Sequence, residues 1–193
     1  LVAASLAEDG VRILTGHRAA SFRGEGDGGV LTAETEGGSV ELPFDRVLVA
    51  VGRRPVVEGL GLDALGVRRR DNGTLEVNDY LQTSIPTIYG CGDVVGPYQF
   101  THMASHQAWY AAVNALFGTF RRFRVNYAVV PWCTYTEPEV ARVGLSEAEA
   151  EEQGVAVEVS TFEFAHNDRA ITESERRGFV KVLTPASGSD RIH

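Results

Sequence analysis

Hydrophobic and polar residues alternate in three runs near the start of the chain, each bounded by glycines. The runs are HRAASFRG (17–24), GVLTAETEG (29–37) and SVELPFD (39–45). A period of two is typical of strands with one buried face, so these runs predict an antiparallel β-meander. Before them, residues 1–7 are predicted to end a helix closed by Gly10, and residues 11–16 to form a short strand.

A continuous apolar run over residues 47–51 breaks this alternation. Such runs are typical of strands that are buried on both faces of a parallel sheet. Gly52 follows the run directly, and Pro55 ends the segment. Ligands of open α/β sheets lie at the carboxyl ends of strands, where glycine lets the backbone approach them closely. Gly52 is therefore a candidate cofactor contact, and an ordinary turn glycine is the alternative.

The middle of the chain mixes short apolar runs with one longer helical pattern. TLEVND (74–79) and TIYG (87–90) predict two further short strands. A helix is predicted from about residue 103 to residue 117. Thr101 is its candidate N-cap, and Gly118 is expected to end it.

The last third of the chain has a different character. Four strand-like runs occur there: AVVPWCTYT, EVARVG, VAVEVSTFEF and GFVKVLT. Between them lies the helix SEAEAEEQG, which opens with a capping box of Ser146 and Glu149 and closes at Gly154. Strands around a helix, without parallel-strand character, predict a separate α+β unit whose boundary lies near residues 120–126.

The composition excludes several classes of partner. The chain of 193 residues is 44% hydrophobic and 23% charged, which is typical of a soluble globular protein. Its net charge of −8 provides no basic field for nucleic acid or anionic lipid, and no apolar run approaches a membrane span. We therefore expect neither nucleic acid nor a membrane as partner. Two cysteines exclude a disulfide framework and fit a reducing compartment, so we expect a cytoplasmic protein.

The segment GEGDGG (24–29) satisfies the dinucleotide-binding pattern GxGxxG by its letters alone. That pattern requires a buried strand before it and a helix N-terminus after it. Here an alternating strand follows, and Glu25 and Asp27 would repel phosphates. We therefore predict a hairpin turn.

The segment TIYGCGDVVG (87–96) ends a short apolar strand in a Gly-x-Gly-Asp turn. The carboxylate of Asp93 can accept charge-assisted hydrogen bonds from ribose or ribityl hydroxyls. The helix start near Met103 offers free N–H groups and a positive dipole end, which suit the pyrimidine edge of a flavin. We predict one cofactor between Asp93 and this helix start, and a simple Gly-Asp turn with an Asx cap is the alternative.

Histidines and cysteines add no separate site. His102 and His106 are spaced i, i+4, but a metal site needs at least three protein ligands, so no metal is predicted. Cys91 and Cys133 match neither a CxxC redox pair nor a metal-site spacing. Both are predicted to be packing residues, Cys91 in a glycine turn and Cys133 within an apolar strand.

Three motifs now stand in order along the chain: VLVAVGRRP, TSIPTIYGCGDV and YTEPEVARVGLSEAEA. Their order and spacing resemble the pyridine nucleotide-disulfide oxidoreductases, the flavoprotein family of lipoamide dehydrogenase, glutathione reductase and mercuric reductase. The resemblance covers essentially the whole chain and implies an α/β plus α+β fold class. It implies the end of a Rossmann-like NAD(P) domain (1–54), a returning FAD-binding segment (55–122) and the first part of an interface or dimerisation domain (123–193).

The resemblance also assigns roles to matched residues. Gly52 corresponds to the family glycine that packs beside the nicotinamide dinucleotide, and Asp93, after Gly92, to the aspartate that holds the ribityl chain of FAD. The helix start beneath the flavin ring, whose amides favour a reduced isoalloxazine, corresponds to Phe100, Thr101, His102, Met103 and Ala104. The implied cofactors are FAD and NAD(P)H. The implied partner is a second copy of the chain, in a homodimer that completes the active site.

Within the family, PYQFTHMA and DRAITESERRGFVKV look most similar to mercuric reductase and its relatives. Lipoamide dehydrogenase usually shows HKAEDEG where this chain has HMASHQA, and Gln107 or a neighbour replaces the acidic residue. The resemblance implies that a hydride passes from nicotinamide to flavin and that electrons then reach a disulfide or metal-ion substrate through a cysteine pair. The alternatives are a lipoamide dehydrogenase or NAD(P)H oxidase relative, and a flavin-free dimerisation module.

Three family motifs have no counterpart in the sequence: the FAD-binding GxGxxG strand–helix unit, the Cys-x4-Cys redox pair and the His-x4-Glu acid–base motif. The sole methionine is Met103, and a helical pattern is already under way at residue 1. The sequence therefore predicts a piece of a longer polypeptide that holds no catalytic residue and is inactive alone.

Overall fold

The computed structural model describes residues 1–186, and the chain divides into two compact units. The first contains residues 1–52 with 136–138, and the second contains residues 53–135 with the described part of the chain from 139 onward. Each unit is described separately. No helix within residues 1–186 combines the length and apolarity that crossing a bilayer requires.

The first unit holds one helix and an antiparallel three-stranded sheet in the order β1-β2-β3. Its elements are α1 (Val2–Glu8), β1 (Arg18–Glu25), β2 (Gly28–Thr35) and β3 (Gly38–Phe44). Phe22 pairs with Leu31, which pairs in turn with Leu42, so the apolar positions of the three strands are in register. The predicted meander is confirmed, and GEGDGG forms the β1–β2 hairpin turn, as expected.

Two predicted strands of this unit, residues 11–16 and 47–51, do not form. Both are irregular in the structure, and the side chains of Leu48 and Val51 are 91% and 86% exposed. A strand requires hydrogen bonds to a neighbouring strand, and no strand among the described residues pairs with either segment. The prediction of a strand buried on both faces is therefore wrong for this structure.

The second unit contains a long helix and two small antiparallel pairs, β4–β5 and β6–β7. Its elements are α2 (Thr101–Phe117), β4 (Trp132–Thr134), β5 (Val140–Arg142), α3 (Glu147–Glu152), β6 (Val157–Glu163), α4 (Asp168–Thr172) and β7 (Phe179–Pro185). The apolar core of this unit is formed by residues of the segment before α2 together with one residue of α2 itself. The buried members of this core are Val57, Val67, Leu75, Leu81, Val95 and Ala111.

The strands predicted over 74–79 and 87–90 are reduced to isolated bridges, in which Arg69 pairs with Leu75 and Gln82 with Tyr89. A few backbone hydrogen bonds accompany these bridges, such as those from Glu76 N–H to Arg68 and from Gly90 N–H to Leu81, and side chains add others. The Asn78 carboxamide accepts from the backbone N–H of both Tyr80 and Gln82, which folds the chain into a turn.

The two helices predicted in the second unit both occur, with one correction at a cap. Helix α2 begins at Thr101, so its N-cap is Phe100, which makes no side-chain capping bond, and the assignment of Thr101 as N-cap is wrong. Gly118 is the C-cap, as expected, and its N–H bonds the Asn114 carbonyl at 2.9 Å. At α3 the predicted capping box is present: the Ser146 and Glu149 side chains each bond the other residue's backbone N–H, at 3.2 Å and 2.8 Å.

Candidate functional site

The predicted cofactor turn is a short 3-10 segment, Gly92–Val94, that lies against α2. Gly92 is buried and has φ of +78°, a left-handed backbone that glycine adopts without strain. A Cβ at this position would lie 3.3 Å from the Cβ of Ala104. The turn and the first turn of the helix therefore touch, with glycine allowing the close approach.

Asp93 projects from this turn and remains accessible to solvent. Its Oδ2 accepts a hydrogen bond from Nη1 of Arg53 at 2.9 Å, and its side chain is 37% exposed. An ion pair this open to water contributes at most about 1 kcal/mol. A ligand that offers hydroxyl donors can compete for the carboxylate without a large cost.

The start of α2 presents donors beside the turn. Phe100 is extended, with φ of −119° and ψ of 141°, and its ring stacks on those of Tyr98 and His102 at 6.4 Å and 5.3 Å. The first N–H groups of a helix have no intrahelical acceptor, and Phe100 supplies no side-chain acceptor for them. Thr101 and His102 are exposed, whereas the Met103 side chain is buried in the protein. Backbone rather than side chains thus makes this end of α2 attractive to negative charge.

Gln107 links the turn to the helix, and the sequence analysis gave it no role. Its side chain is fully buried. Its Oε1 accepts from the Gly92 N–H at 2.6 Å, and its Nε2 donates to the Gly96 carbonyl and to the Tyr127 hydroxyl, both at 2.9 Å. Burial raises the pKa of Tyr127, which keeps the phenol protonated. The available signal was an amide four positions from Met103 and four from Ala111, on the buried face of the helix.

Asn114 is a second buried amide on the same helix, seven positions further on. Its Nδ2 donates to the carbonyls of Tyr80 at 3.1 Å and Phe123 at 2.8 Å, and its Oδ1 accepts from the Phe123 N–H at 2.8 Å. These bonds fasten the far end of α2 to the segments before and after it. They do not involve the Gly92 turn.

Gly52 lies in the first unit and is therefore described by itself. It has φ of +115°, and a Cβ built on it would meet nothing within 4 Å. Its glycine requirement comes from the backbone rather than from a neighbour. Gly92, Asp93 and residues 100–104 thus lie together in the second unit, whereas Gly52 belongs to the first unit.

The other candidate residues lie as follows. His106 Nε2 lies 3.0 Å from the Asn126 carbonyl, and no group of three or more metal-binding side chains occurs among the described residues. Cys91 is exposed, so its prediction as a packing residue is wrong: it precedes the buried Gly92 in a turn that faces outward. Cys133 lies half-buried in β4, where burial raises the pKa of its thiol.

The residues around the turn fit an FAD molecule. The ribityl arm offers hydroxyl donors to the exposed carboxylate of Asp93, and the flavin pyrimidine edge offers acceptors to the open start of α2. The bare backbone of Gly92 lets the turn lie against the first turn of α2, where a Cβ would come within 3.3 Å of the Cβ of Ala104.

Comparison with known families decides the affiliation of the chain. Residues 1–108 match the model of pyridine nucleotide-disulphide oxidoreductases, and residues 130–192 match that family's dimerisation domain. The chain belongs to this family. The predicted resemblance and the predicted fold class, α/β plus α+β, are therefore confirmed. Members of the family use FAD and NAD(P)H.

Individual relatives agree with this assignment. The chain is 42% identical over 177 residues to a dihydrolipoyl dehydrogenase from Staphylococcus aureus, covering 92% of this chain and 37% of that protein. It is 39% identical over 188 residues to a dihydrolipoyl dehydrogenase from Thermus scotoductus, covering 96% of this chain and 40% of that protein. The chain thus spans well under half the length of the curated relatives that it matches.

Two solved structures share the fold. LpdA from Mycobacterium tuberculosis matches with a TM-score of 0.84 and 29% identity, covering 95% of this chain and 39% of that one. The Cu(II) complex of the HOCl-induced flavoprotein disulfide reductase RclA from Escherichia coli matches with a TM-score of 0.81 and 26% identity, covering 98% of this chain and 42% of that one.

Proposed function

We propose that this chain forms the flavin-holding and dimer-forming part of an FAD-dependent NAD(P)H oxidoreductase that reduces a disulfide or a metal ion. The observation that supports this proposal is the juxtaposition of an exposed carboxylate, a buried left-handed glycine and an open helix start at one turn. Bound FAD supplies the redox chemistry, and this chain binds and orients it. Asp93 accepts from the ribityl hydroxyls, and the first N–H groups of α2 face the pyrimidine edge.

We further propose the domain roles implied by the family. Residues 1–54 end the NAD(P) domain, where Gly52 packs beside the nicotinamide dinucleotide. Residues 55–122 return to the FAD domain, and residues 123–193 begin the interface domain of a homodimer. The match of residues 130–192 to a dimerisation domain supports this last role. The chain by itself holds no catalytic residue and is inactive.

The substrate we favour is a dithiol–disulfide couple of the dihydrolipoyl type. The similarity to dihydrolipoyl dehydrogenases, at 42% and 39% identity, supports it over the mercuric ion that the motifs PYQFTHMA and DRAITESERRGFVKV favour. Turnover of the full-length protein with dihydrolipoamide and with mercuric ion separates the two. A free exposed thiol at Cys91 is compatible with a reducing, cytoplasmic compartment.

The experiment that tests the flavin site is Asp93→Ala in the full-length protein, stripped of flavin and titrated with FAD. Loss of charge-assisted hydrogen bonds to the ribityl hydroxyls is expected to raise the Kd for FAD about tenfold to a hundredfold. Quenching of flavin fluorescence on binding measures that Kd.

Asp79→Ala is the matched control, because Asp79 is also an exposed carboxylate paired with an arginine, Arg124, in the same unit. Its Kd for FAD is expected to stay within about twofold of wild type, since its carboxylate pairs with Arg124. Equal Kd values for Asp93→Ala and wild type would refute the assignment. A colourless full-length protein that binds no FAD would favour the flavin-free dimerisation module instead.

A further inference from the structure

We infer that Gln107 is a positioning residue for the flavin: its buried amide fixes both ends of the Gly92–Gly96 turn and so sets the place of the Asp93 carboxylate relative to the start of α2. This inference rests on the proposed FAD-binding function. Gln107 bonds the turn and not the flavin, so its effect on flavin binding comes from the position it gives to Asp93.

The Gln107 carboxamide bonds the turn at two points, and we call this pair of hydrogen bonds the clamp. The carboxamide oxygen of Gln107 receives the N–H of Gly92, and its nitrogen donates to the carbonyl of Gly96. Asp93 lies between these two residues, directly after the first of them. Because one rigid planar amide holds both ends, the turn cannot shift along α2 without breaking a buried hydrogen bond, and a buried polar group left unpaired is costly.

A neutral amide of this length satisfies both ends at once without carrying a charge. A carboxylate can accept from Gly92 but cannot donate to Gly96, and an ammonium group can donate but cannot accept. Either charge would also be buried completely, since the Gln107 side chain has 0% exposure. The neutral amide of Gln107 therefore bonds both ends of the turn without burying a charge.

The third hydrogen bond of Gln107 extends the clamp to a second segment. Its Nε2 also donates to the hydroxyl of Tyr127, which lies in the stretch that leads into β4. The Tyr127 ring lies 5.8 Å from that of Tyr98, next to the aromatic stack at the start of α2. Tyr127 thus gives the amide a third hydrogen bond, and the two bonds from Gln107 to the turn do not depend on it.

Asn114 provides a matched control within the same helix. It is also buried, at 2% exposure, and it also makes three hydrogen bonds, but none of them reaches the Gly92 turn. Replacing either amide by an apolar residue of similar size removes three buried hydrogen bonds from α2. Any difference between the two variants in flavin affinity therefore reports the turn rather than the helix.

The experiment compares Gln107→Met and Asn114→Leu in the full-length protein, with FAD titrated into the flavin-free form. Both variants are expected to lower the thermal unfolding midpoint of the flavin-free protein by similar amounts. Only Gln107→Met is expected to raise the Kd for FAD, by about tenfold or more, because two hydrogen bonds that fix the turn are lost. Tyr127→Phe is expected to change that Kd by less than about threefold, since both bonds to the turn remain.

A second variant covers the case in which Gln107→Met is not recovered as folded protein. Gln107→Glu keeps the length of the side chain, and its carboxyl can make both bonds while protonated but cannot donate to the Gly96 carbonyl once ionised, so the Kd for FAD is expected to rise by about tenfold as the pH is raised through the pKa of that carboxyl. An equal rise for the Gln107 and Asn114 variants, or no rise for either, would overturn the inference while leaving the flavin site intact. Wild-type protein that binds no FAD would instead overturn the proposed function, and the inference with it.

Discussion

The segments 47–52 and 87–92 have the same pattern, a short apolar run that leads to a glycine, yet the structure treats them differently. In the first, no ladder forms among the described residues and Leu48 is 91% exposed. In the second, Tyr89 bridges to Gln82, and Ile88 and Tyr89 pack against a core whose members Leu81 and Val95 are each 1% exposed. The comparison teaches that an apolar run specifies a tendency to be buried, while neighbouring segments decide whether burial occurs.

The glycines of the two segments also differ in the reason for their presence. Gly52 has open space around it but a φ of +115°, which an L side chain rarely adopts. At Gly90 the limit is space, since a Cβ there would lie 2.5 Å from Cγ1 of Val95. Gly52 is therefore required by its backbone conformation, and Gly90 by the lack of space for a side chain beside Val95.

The largest expected effect is a difference in stability between a variant at the buried Leu81 and one at the exposed Leu48. Leu81→Ala should lower the free energy of unfolding by about 2–5 kcal/mol, because it leaves a cavity at a fully packed position. Leu48→Ala should change it by less than about 0.5 kcal/mol, as is usual for an exposed side chain. Urea denaturation of the 193-residue chain measures both values. Similar losses for the two variants would show that residues 47–51 are buried there, and the contrast drawn above would fail.

A smaller effect separates the two glycines. Gly90→Ala should cost about 1–3 kcal/mol through overpacking against Val95, and Gly52→Ala should cost about 1 kcal/mol through its backbone. Asparagine separates the two causes, because it tolerates positive φ better than alanine does but is larger than alanine. Gly52→Asn should therefore be milder than Gly52→Ala, and Gly90→Asn harsher than Gly90→Ala. The same order at both positions, measured by denaturation, would contradict the two causes assigned here.

The smallest expected effect concerns acid stability in the α+β part of the second unit. The Arg142 guanidinium, together with the N–H and hydroxyl of Ser146, lowers the pKa of Glu149 from its ordinary 4.5 to about 2. Because the folded-state pKa is depressed, the contribution of this carboxylate to stability is fully present above about pH 4.5 and is lost as pH falls through about 2.

Titration of the Glu149 carboxyl by NMR checks this value directly. Arg142→Met removes the largest cause and should raise the pKa of Glu149 back towards 4.5, so the loss of stability should begin at higher pH. A Glu149 that titrates at the same pH in both proteins would mean that Arg142 is not the main cause.

Elements whose bonds are local were predictable from the sequence. The meander follows from alternation and glycine turns, and the α3 capping box from two residues three positions apart. The turn at Gly92 and Asp93 was also predictable, because glycine and aspartate in that order signal both a bend and a carboxylate. The exposure of Cys91 was not, since a one-residue change of direction in a turn decides which side chains face outward.

The sequence by itself determined the short-range elements, the family and the residues that could contact a flavin. Only the tertiary structure decided that Gln107, fifteen positions after Gly92, holds the turn against α2, and that Arg53 reaches Asp93 across forty positions. The physical reason is that a periodic pattern records which face of a segment is apolar. It does not record which distant backbone groups a buried polar side chain will satisfy, because that depends on where the folded chain brings them.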